Sequence, residues 1–200
     1  MTLRPPRDTA LALQGDAARL LHFNRQLLDQ ALALVSAHEA PKAPPFAEQT
    51  GPHLRHLIEH YEALVLRGDS EAIDYDRRSR DRAVENDPAL ARARIVALQQ
   101  RLSGWSDATL DQPLRLSGQA GTVGEFEFAV ASSVGRELVF LASHAVHHFA
   151  VLHVYCLQHG LLVDADLGRA PATVAHDRQE RLERNQTAVA AHAVAGNPSA

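Results

Sequence analysis

The stretch that most constrains the fold runs from Ser132 to Gly160, SSVGRELVFLASHAVHHFAVLHVYCLQHG. From Leu138 to Leu157 apolar residues fall on nearly every side of a helical wheel, and Gly160 stands where such a helix stops. A helix apolar all round belongs in the middle of a bundle. Yet this one carries His144, His147 and His148. Residues four apart stack on one helix face, so His144 and His148 present two imidazoles to one point. Glu137, two turns earlier, lies within about 20° of His144 at 3.6 residues per turn. Unpaired imidazoles in a core cost stability, and a bound metal ion is the simplest partner for them.

Two hundred residues, 46% of them apolar and 22% charged, suit one soluble domain with a sizeable core. The net charge of −4 argues against a nucleic-acid binder, whose binding face makes such domains basic. Twelve histidines are many for this length, and eight lie in two clusters, His53–His60 and His144–His159. The lone Cys156 excludes an internal disulfide and a cysteine-based zinc site, and fits a cytoplasmic protein. Its apolar neighbours point to a buried core thiol rather than a nucleophile. MTLRPPRDTALALQGD is broken by prolines and an aspartate and does not read as a leader peptide. No Asp, Glu, Lys or Arg occurs from Leu138 to Val163, a length that spans a bilayer. Five histidines and Gln158 lie within it, and no basic cluster flanks it, so the expectation is a central helix with no membrane.

Apolar residues at three- and four-residue spacing predict a first helix from Asp8 or Asp16 to about Glu39. APKAPPFAEQTGP ends it. A second helix is expected from Gly51–Pro52 to about Arg67, with His53, His56 and His60 in one stripe along the edge of its apolar face. GDSEAIDYDRRSRD follows as an extended-looking loop crowded with arginines. That run reads as a solvated charge cluster or as the source of one arginine that pins a substrate carboxylate. Asp87–Pro88 caps a third helix to about Gly104. From Leu110 to Val130, alternation around SGQAG predicts a short hairpin.

The His-x-x-x-His pair supplies two ligands, and a histidine from the stripe on the other helix completes a half-shell with positions left open. All-imidazole ligation suits several divalent ions without choosing among them. The competing reading is a set of core or rim histidines satisfied by backbone and water. The histidines titrating together as a pH sensor is a third, and their spacing matches coordination better.

The run SHAVHHFAV resembles the fourth-helix signature of the DinB-like (damage-inducible) metalloproteins, His-x-x-His-His followed by a small and an apolar residue. GPHLRHLIEHY, IDYDRR and GRELVFLASHAVHH together resemble one subgroup of that superfamily, and the likeness covers about residues 20–175. It implies an all-α fold: a four-helix bundle over residues 1–175 with a short β-hairpin inserted before the last helix. A flexible or weakly helical tail is expected over 176–200. The resemblance also implies His144 and His148 as metal ligands. The third comes from the second helix, where the family has Ser, six residues, then His; here Gln49 holds the serine position and His56 is the ligand. By the apolar face alone, His53 and His60 lie nearer the core than His56. With His147, they stand as alternative ligands or as partners behind the ligands. The chain lacks the Gly-Gln that commonly follows the double histidine, having Phe149–Ala150 instead.

Relatives of the fold include thiol-dependent S-transferases, a mycothiol-dependent isomerase and the metal-binding half of sulfoxide synthases. The implied cofactor is a divalent zinc, nickel or iron ion, and the implied partner a small-molecule thiol or other small substrate. Glu137 would be a base or an orienting carboxylate, and Arg78 or Arg136 a carboxylate anchor. For Glu137 and Arg136 a helix-start ion pair is the plainer role. The alternative function is a non-catalytic, stress-associated metal-binding homodimer. No basic face supports a role on DNA.

Overall fold

The structure is a computed structural model that describes residues 15–195, with side chains to Thr187. The expected helix start at Asp8, the leader reading of the first residues and the last five residues of the tail lie outside them.

Among the described residues the chain forms seven helices and one three-stranded sheet. The helices are α1 Asp16–Ala37, α2 Thr50–Val65, α3 Arg82–Asn86, α4 Pro88–Ser103, α5 Asp107–Leu110, α6 Val134–Gln158 and α7 Pro171–Ala195. The strands are β1 Ala72–Asp74, β2 Pro113–Ala120 and β3 Phe126–Ser133. This corrects the all-α expectation of a four-helix bundle. The stretch beside Asp74 pairs in parallel with Arg115–Ser117 of β2, while β2 and β3 pair antiparallel over eight residues each. The hairpin is thus two strands of a mixed sheet. Three residues in β1 are too few to carry a period-two pattern, so nothing local announces that pairing.

Apolar spacing explains the long helices. α1 and α2 each pack against α4 and α6, burying Leu28, Leu34, Leu54, Leu57, Ile58, Leu64, Ile95, Leu98, Leu102, Leu138 and Phe149. Each such side chain contributes about 1.5–3 kcal/mol on leaving water. Inside this core Tyr61 donates to Asn24 Oδ1 at 2.7 Å, and Asn24 Nδ2 donates to Leu20 O, so these two buried side chains are satisfied by each other and the backbone. Asp87 caps α4 by accepting from Ala89 N and Leu90 N. Gly51 lets α2 and α3 meet, since a Cβ there would sit 2.0 Å from Glu85 O. Gly160, at φ 66°, ends α6, and Leu161 N reaches back to Cys156 O at 2.9 Å.

α6 differs from a helix at the centre of a bundle. Leu138, Leu141, Ala145, Phe149 and Leu152 are buried, but Val139, Val154 and Leu157 are each more than half exposed. By length and composition it could cross a membrane, and only a third of its most apolar window is buried within the fold. α7 is exposed on most of its described side chains, and is supported by i,i+4 contacts such as Arg184–Glu180 and Gln179–Glu183.

Two features position the site. α2 and α6 lie side by side, which brings their histidine faces together. The segment after β1, a 3-10 turn at Tyr75–Arg77 followed by Arg78, is tied to α2 through Glu59. That carboxylate accepts from Ser79 Oγ at 2.8 Å, from Asp81 N at 2.7 Å and from Arg55 Nη1 at 3.2 Å.

Candidate metal centre

α2 and α6 present their imidazoles across one narrow gap. His56 Nε2 lies 3.0 Å from His144 Nε2, and His144 Nε2 lies 3.2 Å from His148 Nε2. Around one ion with bonds of about 2.0–2.1 Å, neighbouring tetrahedral ligand nitrogens stand about 3.3 Å apart. The separations of His144 Nε2 from each of the other two therefore match nitrogens that share an ion. A neutral imidazole has one donor nitrogen and one acceptor, so a single Nε2 cannot pair well with two others. The donor set is all nitrogen, uncharged and half-buried, which fits a divalent borderline ion.

His60 joins the group from one turn along α2. The ligand nitrogens of His56, His60 and His144 lie within 4.8 Å of one another, so three histidines here can hold a metal ion. His60 is 5% exposed, and its Nδ1 lies 2.7 Å from His56 O. That contact makes Nδ1 the donor and leaves Nε2 as acceptor, 3.4 Å from Arg78 Nη1.

Partners stand behind the imidazoles. His53 Nδ1 and His148 Nδ1 are 2.7 Å apart, and His53 Nε2 is 3.1 Å from Gln49 Nε2. A bond at Nδ1 fixes the ring of His148 and turns its Nε2 toward His144. Gln49 thus touches His53. His147 is exposed, its ring 5.6 Å from that of His148.

Two aromatic walls, Tyr75 and Phe140, were not singled out by sequence. Tyr75 stacks on His60 at 5.3 Å and Phe140 on His144 at 5.5 Å. Tyr75 also donates to Glu137 Oε2 at 3.0 Å, while Ser132 Oγ donates to Glu137 Oε1 at 2.5 Å. Both oxygens of this buried carboxylate are engaged, and Tyr75 stands between Glu137 and His60 as a hydrogen-bond donor to one and a stacked ring on the other. Burial and the neighbouring Glu137 charge push the Tyr75 hydroxyl far above its usual range. Arg136 is exposed, 4.0 Å from Glu137. Arg78, in contrast, points at the imidazoles. Tyr75 supplied no periodic signal; it lies in a three-residue turn, and only the fold brings it to His60.

The electrostatics keep the rings neutral. Burial, then the neighbouring imidazoles and Arg78, push His56 down to about 3. His60 is pushed down to about 4 by burial, partly offset by its bond to His56 O. Burial and neighbouring imidazoles take His144 and His148 down to about 4 as well. At neutral pH their lone pairs are free for a cation. A surface hollow of about 570 Å³ is lined by other residues, among them Asp74, Asp76, Arg80 and Phe128.

No family model matches the chain, and no solved structure matches it. Its sequence is similar to FK506-binding protein 5 of Rhizopus delemar, 29% identical over 167 residues. Those residues make up 84% of this chain and 42% of that protein, so the chain spans less than half the length of the relative.

Proposed function

We propose that this chain is a DinB-like metalloprotein in which His56, His144 and His148 hold a divalent zinc, nickel or iron ion with a coordination position left open. The observation that supports this is the position of His144 Nε2, 3.0 Å from His56 Nε2 and 3.2 Å from His148 Nε2. His148 is preferred to His60 as third ligand because His53 backs His148, whereas the free nitrogen of His60 faces a guanidinium. A divalent ion held here supplies a Lewis-acid centre that makes a small thiol more acidic, the chemistry of a thiol S-transferase or related hydrolase or isomerase. The chain's own residues bind and orient: His53 fixes His148, Tyr75 and Phe140 wall the rings, and Glu137 steadies Tyr75. The fungal relative is named for FK506 binding, but more than half of it lies outside the similarity. The imidazole chemistry is the stronger guide.

A second reading, a non-catalytic metal-binding homodimer, draws on the exposed apolar flank of α6 at Val139, Val154 and Leu157. Cobalt substitution separates the two. In an open site imidazole, azide or a small thiol shifts the cobalt spectrum; an unresponsive spectrum marks a closed, structural site and contradicts the catalytic proposal.

A further inference from the structure

Arg78 is the one guanidinium facing the imidazole cluster among the described residues, and its donors are poorly used. Its side chain is 11% exposed, and Nε is buried with no hydrogen-bond partner. Nη1 donates to Tyr75 O. The remaining contacts are long: Nη1 to His60 Nε2 at 3.4 Å, Nη2 to His56 Nδ1 at 3.5 Å and Nε to Glu59 Oε2 at 4.0 Å. Glu59 has little room for it, since Arg55, Ser79 and Asp81 already occupy both oxygens. Arg55 and Arg94, in the same region, are each paired with two carboxylates.

The contact with His56 is also incompatible with ligation at Nε2. An imidazole bound to a cation through Nε2 carries its proton on Nδ1, so Nη2–H would then face another N–H. Nη2 needs a different acceptor. Three neutral imidazoles add no negative charge, so a divalent ion beside Arg78 makes the site strongly positive. Glu59 is paired with Arg55, and Glu137 is held by Tyr75 and Ser132.

We infer that Arg78 recognises a carboxylate on the ligand taken by the imidazole site. This rests on the metal-site proposal. A guanidinium fork with unused donors matches a carboxylate in shape and charge. Around Arg78 the carboxylates of Glu59 and Asp76 are balanced by Arg55 and Arg80, so the guanidinium's own single charge is what the ligand has to match.

The test uses the full chain loaded with cobalt, titrated with acetate, inorganic phosphate and neutral imidazole, in wild type, Arg78→Gln and Arg78→Lys. Acetate is expected to bind Arg78→Gln about tenfold more weakly than wild type, the loss of one charge-assisted contact. Imidazole affinity and cobalt content should stay unchanged. Arg78→Lys keeps the charge without the fork and falls between the two. If Arg78→Gln does not fold, Arg78→Lys decides, and acetate affinity equal to wild type overturns the inference. Retained cobalt with unaltered acetate binding in Arg78→Gln likewise overturns it and leaves the metal site standing. Phosphate binding about tenfold tighter than acetate overturns the carboxylate assignment. Wild type that takes up no cobalt overturns the metal site and this inference together.

Discussion

The two polar flanks of α2 solve the same problem in opposite ways. On one, Arg55, Glu59 and Glu62 meet Arg94, Asp81, Glu85 and Ser79, and every charge finds an opposite charge or a hydrogen-bond donor. On the other, His53, His56 and His60 meet His144 and His148, and like groups face like groups. The first flank is complete as it stands and ties the loop after β1 to the helix. The second contains nitrogens that cannot all satisfy one another, and it lies where the fold is only half-buried. A completed network stabilises; an uncompleted one marks where something else binds.

The widest separation between the flanks is expected in acid. The unfolded imidazoles titrate near 6.5, and the folded ones only at about 4, or about 3 for His56. The unfolded state therefore binds more protons across that window. Stability of the metal-free protein should be full above pH 6.5 and fall steadily as pH drops through about 4. Urea midpoints from pH 8 to 4 check this, and a flat profile would mean the imidazoles are freely solvated. With zinc present the fall should begin at lower pH, because protons must then displace the ion.

On the paired flank, Glu59→Gln leaves Arg55 and the loop donors without their carboxylate. It should lower unfolding free energy by about 3–5 kcal/mol, as for other broken buried pairs. Chemical denaturation measures it, and a change well under 1 kcal/mol would show that the flank is not the tie described. On the imidazole flank, His53→Ala should weaken metal affinity about 10- to 100-fold while costing little stability. Competition with a chromophoric chelator reads the affinity; an unchanged value would remove His53 from the site. The smallest effect is expected of Tyr75→Phe, which takes one donor from buried Glu137 and should cost about 1 kcal/mol. Its metal content should match wild type, and loss of metal would give Tyr75 a larger part than that of a wall.

Much of this was legible in the chain. Apolar spacing located α1, α2, α4 and α6, since burial on one face imposes a period near 3.6. The His144/His148 pair could be read because four residues make about one turn. His56 was harder: the apolar face of α2 favours His53 and His60, and only the family resemblance pointed to the residue that meets His144. The hairpin could be read from the alternation around SGQAG, but the third strand could not, because β1 pairs with β2 across about forty residues and is only three residues long. Nor was the exposed flank of α6, since a run of valines and leucines reads the same whether protein or solvent lies against it. The tail, expected to be flexible or weakly helical, is helical over Pro171–Ala195, and its described side chains make polar i,i+4 contacts rather than an apolar stripe.

The most direct measurement is elemental analysis of the chain purified without added metal, beside His144→Ala and His148→Ala of confirmed helical content. Close to one divalent ion per wild-type chain, and almost none in either variant, is the predicted result for a three-imidazole centre. Equal metal in all three, or none in the wild type, would contradict it.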